Sequence, residues 1–122
     1  MRAVLKPELA SELPAVRHWL QHASCARRIV QDRFGHEEEE IRLRRLVEEN
    51  VMEQMVNLHT HPSVASRLVS GAVSLYGWVY EIGTGHVFAY DAGRNEFRPL
   101  QPGMPAQMLP RMRTAGNAAF AD

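Results

Sequence analysis

Apolar positions recur with a helical period over the first part of the chain and alternate with a period of two later on. The helical part divides at its prolines and glycines. Lys6 to Leu13 reads as a short helix or turn. Pro14 suits the first turn of a longer helix, because the N–H it lacks would go unbonded there anyway. Val16, Leu20 and Ala23 continue one apolar stripe along that helix, Trp19, Ala26, Ile29 and Val30 broaden it, and Gly35 ends it. The strongest helical segment is "EEEEIRLRRLVEENVMEQMVNL", from Glu37 to Leu58. Its apolar face is Leu43, Leu46, Val47, Val51, Met55 and Leu58. Glu37 to Glu40 set acid at the positive end of the helix dipole, with Arg42, Arg44 and Arg45 after them. Glu38–Arg42 and Glu40–Arg44 have (i, i+4) spacing, worth about 0.3 kcal/mol each. The charge run as a whole reads as a solvated helix face. In "THPSVASRLVSG", Thr60 is placed to cap a short helix, Pro62 to sit in its first turn and Gly71 to close it.

The period then changes. Val73 to Ile82 and His86 to Tyr90 read as strands joined through Gly83-Thr84-Gly85, and "EFRPL" as a short third strand. The first strand is apolar on both faces, with Leu75 and Val79 on one and Tyr76, Trp78, Tyr80 and Ile82 on the other. Such a strand wants cover on both sides, as inside an α/β sheet. A two-stranded hairpin alone is marginal in water. The sheet therefore needs a partner chain or the rest of a larger domain. After it, residues 101–122 hold three prolines and no sustained period, and are expected to form a flexible tail.

Composition narrows the class. The chain has 122 residues, 45% hydrophobic and 23% charged, an ordinary globular balance. Lys+Arg and Asp+Glu are both 14, so charge makes no case for nucleic acid or an anionic membrane. No apolar run approaches the roughly 20 residues needed to span a bilayer. The start of the chain lacks a signal-peptide apolar core, so a cytoplasmic location is expected. The single cysteine, Cys25, suits a reducing compartment.

The residues that leave the sheet incomplete also carry a resemblance. "EENVMEQMVNLHTHPSVASRLVSGAVSLYGWVYEIGTGHVFAYD" resembles the C-terminal half of β-class carbonic anhydrases. The Glu-Asn-Val-x-x-Gln-x-x-Asn-Leu helix, the Thr-x-Pro-x-Val turn and the Gly-Trp-Val-Tyr strand follow that family's order. The upstream segment "MRAVLKPELASELPAVRHWLQHASCARRIV" resembles the part just after the family's central metal-binding loop. The resemblance covers residues 1–100. It implies an α/β fold, here helices packed on a small, incomplete sheet ending in a β-hairpin. It also implies a lyase that interconverts carbon dioxide and bicarbonate with zinc. In the family, one cysteine ligand lies in a Cys-x-Asp-x-Arg motif, and a histidine and the other cysteine in a Gly-His-x-x-Cys-Gly loop. Both motifs fall upstream of the part matched here, so the resemblance implies a truncated member, inactive as this isolated chain and without its own zinc. The alternative is a non-catalytic assembly module whose sheet is completed by another copy, making a homo-oligomer, or by a full-length relative.

No catalytic residue is assigned, and the candidates that remain are secondary. His22-Ala-Ser-Cys25 has the His-x-x-Cys spacing without the flanking glycines. His18, His22 and Cys25 have i, i+4, i+7 spacing and could share a helix face as a new zinc site. The reading preferred here makes Cys25 a small buried residue and the histidines surface or interface groups. His59 and His61 form another apparent pair with no third ligand nearby. Asn50, Gln54 and Asn57 make an amide stripe, expected to be buried and tied to neighbouring backbone. By resemblance, His61 matches a tyrosine near the substrate pocket of some members. Tyr80 matches a tyrosine lining a non-catalytic bicarbonate pocket in a regulated subset. On residue type alone Tyr80, Trp19 and Trp78 read as core.

Overall fold

A computed structural model describes residues 1–101 and 103. Five helices come first: α1 (Arg2–Leu5), α2 (Pro14–Leu20), α3 (Ser24–Phe34), α4 (Glu39–Thr60) and α5 (Pro62–Val69). Three strands follow, β1 (Trp78–Glu81), β2 (His86–Asp91) and β3 (Glu96–Pro99). Short 3-10 turns at Pro7–Ala10 and Gln21–Ala23 precede α2 and α3. The chain divides into two compact units, Met1–Glu53 and the part from Gln54 on, with the boundary inside α4. Helices and a small sheet place the fold in the α/β class expected from the sequence. The expected tail lies, apart from Gln101 and Gly103, outside the described residues.

The N-terminal unit is built on one apolar cluster. Val4, Ala23, Ala26, Val30 and Leu46 are buried together, with Leu5, Leu20 and Phe34 packed against them. The long helix expected from Pro14 is interrupted, because Gln21–Ala23 tighten into a 3-10 turn and Ala23 leaves helical geometry at φ −101°, ψ 14°. The stripe is correspondingly split. Ala23, Ala26 and Val30 enter the core, whereas Val16 and Trp19 stay exposed, Trp19 at 67%. The acids at the start of α4 reach across sequence rather than along the helix. Glu40 pairs with Arg2 at 2.6 Å and Glu39 accepts a hydrogen bond from the Lys6 ammonium. Further along, Arg44 and Arg45 both hold Glu48, at 3.3 and 2.9 Å.

The Lys6 contact holds the Glu39 carboxyl below its ordinary value of 4.5, first by that hydrogen bond and then by the ammonium charge. A depressed carboxylate pKa adds stability above the unfolded-state value and loses it as pH falls through the folded one. Lys6→Gln should therefore lower the thermal midpoint at about pH 6, and the gap from wild type should close towards about pH 3. Thermal melts of both proteins across that range check it; a gap independent of pH would contradict it.

In the C-terminal unit, α5 begins with His61 in extended geometry at its N-cap and Pro62 in the first turn. Thr60 does not cap it. It ends α4, and its hydroxyl donates back to the carbonyls of Val56 and Asn57. The helix closes as expected at Gly71, whose φ of +72° suits a residue without Cβ. There the Ala72 N–H donates to Arg67 O at 2.9 Å and the Gly71 N–H to Leu68 O at 3.1 Å. The sheet is an antiparallel meander in the order β1-β2-β3. Its registers are Trp78 opposite Ala89 and Tyr90 opposite Phe97. β1 is shorter than expected, since residues 73–77 are not strand. The third strand forms, and the Tyr90 hydroxyl donates to Asn95 Oδ1 at 2.7 Å across the turn before it.

Candidate functional site

The residues singled out by sequence fall in both units. In the first, His18 lies on α2, His22 in the 3-10 turn and Cys25 on α3. The two imidazoles stand edge to face with ring centroids 6.5 Å apart. Cys25 is exposed, which corrects its reading as a small buried residue. On α3 it stands about 100° around the helix from Ala26, off the face that Ala26 and Val30 bury. Among the described residues, no group of three histidine, cysteine or acidic side chains is placed to hold a metal ion.

Asn50 is half-buried, but Gln54 and Asn57 are exposed, so the amide stripe is not the buried set expected of it. The reason is local to α4. Leu46 and Met55 are both buried, yet nine residues separate them, which places them about 180° apart around the helix. The helix thus buries different faces in its two halves, and a single stripe does not stay covered along it. Leu58 is 47% exposed. His61 is exposed, and its carbonyl accepts from the Val64 and Ala65 N–H groups at 2.9 and 2.8 Å. Its backbone starts α5, and its imidazole faces solvent. Tyr80, on β1, is 62% exposed, and Trp78 beside it 51%. Neither is core, contrary to expectation from residue type. The two share one face of the strand, and Tyr76 and Ile82, just outside it, are exposed as well.

The family profile described as carbonic anhydrase matches residues 1–87. The solved structure of the β-carbonic anhydrase CcaA superposes with a TM-score of 0.76 at 40% identity, covering 86% of this chain. The chain belongs to the β-carbonic anhydrase family. Carbonic anhydrase 1 of Escherichia coli O157:H7 is 39% identical over 100 residues, 82% of this chain and 45% of that protein. A carbonic anhydrase of Synechocystis sp. is 42% identical over 98 residues, 80% of this chain and 36% of that protein. CcaA is covered over 48% of its length. The chain thus spans less than half the length of each of these relatives.

Membership implies zinc, and the donors present do not fit it. A Cys₂His centre needs two thiolates, and the sequence has one cysteine. All six histidines lie within the described residues, at 18, 22, 36, 59, 61 and 86, and none joins a three-donor group there. The β-carbonic anhydrase part seen here is a helix-and-strand scaffold. Among the described residues, no helix is long and apolar enough to cross a membrane.

Proposed function

We propose that this chain supplies the scaffold portion of a zinc-dependent carbon dioxide hydratase, and that as the 122-residue polypeptide it neither retains zinc nor interconverts carbon dioxide and bicarbonate. The donor set carries this reading: one exposed cysteine, and no three-ligand group among the described residues. Hydration at neutral pH needs a hydroxide, which zinc provides by lowering the pKa of its bound water to about 7. Without a zinc-holding set, the residues here have no equivalent nucleophile to offer. A reducing cytoplasm suits the lone thiol. The test is zinc per chain by elemental analysis, with carbon dioxide hydration measured on the same purified sample. The expected result is well below about 0.1 zinc per chain and no rate above buffer. About one zinc per chain together with catalysis would overturn the proposal, and His18, His22 and Cys25 would then be the first residues to replace.

The sheet supports a second, compatible reading, in which the chain assembles with another copy of itself or with a full-length relative. Among the described residues, β1 and β3 are both edge strands. β3 carries Glu96, Arg98 and Pro99, the charges and proline by which solvated edges avoid pairing. β1 carries Trp78, Val79 and Tyr80, and lacks such protection over most of its length. An unprotected apolar edge is a template for a further strand. Sedimentation at two protein concentrations distinguishes assembly from a monomer.

A further inference from the structure

The N-terminal unit contains a cleft of about 140 Å³, lined by α1, the 3-10 turn after it, α2 and the start of α3. Its floor is apolar, with Val4 and Ala10 buried and Leu20 half-buried. Its polar lining comes from Arg17, Gln21, Ser24 and Arg27. Arg2, Arg44, Arg45, Arg94 and Arg98 all pair with carboxylates. Arg17 and Arg27 pair with none among the described residues.

These two cations lie on either side of the break in the helix. Arg17 and Arg27 are ten positions apart. On an unbroken α-helix their directions would differ by about 80°. The 3-10 turn at Gln21–Ala23 and the non-helical Ala23 interrupt that helix. Both arginines line one cleft, with Gln21 and Ser24 between them in sequence.

The lining selects a ligand class. Guanidinium groups hold carboxylates through parallel, charge-assisted N–H···O bonds. An apolar floor penalises a fully hydrated inorganic anion and rewards a carbon body. The volume is close to the roughly 150 Å³ of a cavity known to accept benzene. We propose that this cleft binds a small monocarboxylate with a compact apolar body, about the size of benzoate, its carboxylate held between Arg17 and Arg27. The site is independent of zinc and of hydration. Arg17 is exposed, so solvent screens the pairing, and the dissociation constant should be about 1 mM.

The test is a titration of the full chain with benzoate, followed by amide NMR shifts. Saturable shifts are expected at Val4, Ala10 and Leu20. Benzamide, the neutral isostere, and bicarbonate, which lacks the apolar body, should each bind at least about tenfold more weakly. The double variant R17Q/R27Q should lose about tenfold or more in benzoate affinity. R28Q, on the same helix and outside the cleft, should lose nothing. Ala10→Leu, which fills the floor, gives a second route to the same loss if the double variant loses its dispersed spectrum. The proposal is overturned by an absence of saturable shifts, by equal binding of benzamide or bicarbonate, or by undiminished affinity in both R17Q/R27Q and Ala10→Leu.

Discussion

Leu46→Ala should destabilise the N-terminal unit by about 3 kcal/mol, and Leu58→Ala should cost less than about 1 kcal/mol. Both leucines belong to the apolar pattern of one helix, and a reading by periodicity treats them alike. The structure separates them. Leu46 has no exposed surface and packs in the cluster with Val4, Ala23, Ala26 and Val30. Three of those neighbours are already small or β-branched and held in helices, so they are poorly able to collapse into the space a truncated leucine leaves. The cost then includes a cavity as well as the lost transfer free energy. Leu58 keeps nearly half its surface in contact with solvent, so truncation removes little burial. Urea unfolding of the two variants, with tertiary structure followed by near-ultraviolet signals, gives the comparison. Equal midpoints for the two would mean that the cluster around Leu46 is not the unit's core.

The contrast between these leucines shows what the sequence could and could not convey. Helix α4 was legible because its length, its acidic first turn and its apolar recurrence all agree, and element identity follows when local signals are consistent. The switch of its buried face between Leu46 and Met55 was not, because periodicity says which residues share a face but not which neighbours cover it. Helix α1, four residues long, is too short to show a period. The 3-10 turn at Gln21–Ala23 left no glycine or proline to mark it, so a single helix from Pro14 was the natural reading. The Arg17–Arg27 cleft was hidden too, because a helical period does not say which residues of separate elements line a common hollow. The apolar character of Trp78 and Tyr80 was plain, and their exposure was not: a strand pattern reports that a face wants cover, not that its own unit provides it. The shortage of zinc donors, by contrast, needed only a count of cysteines. It did not depend on any element being placed correctly.

The sheet edge gives the second large effect. If β1 is completed by another copy, the wild-type chain should sediment as a larger species as its concentration rises, and W78K/Y80K should stay monomeric to at least about tenfold higher concentration. The register explains the choice of residues. The Tyr90 N–H donates to Gly77 O, and the Leu100 N–H to Val87 O. Alternation along an antiparallel pair then makes Val79–Phe88 a hydrogen-bonded pair and leaves the backbone groups of Trp78 and Tyr80 directed to the open edge. Their side chains also share the exposed face, so two lysines place like charges where a second copy would dock and cost little in the isolated chain. Val69→Lys is the matched control. Val69 is 83% exposed, yet it lies on α5 rather than on the strand, and its replacement should leave the concentration dependence unchanged. A wild-type chain that stays monomeric throughout would remove the case for self-association and leave a longer relative as the remaining source of a strand. If W78K/Y80K and Val69→Lys weaken association equally, general surface hydrophobicity is responsible and the β1 edge is not the contact.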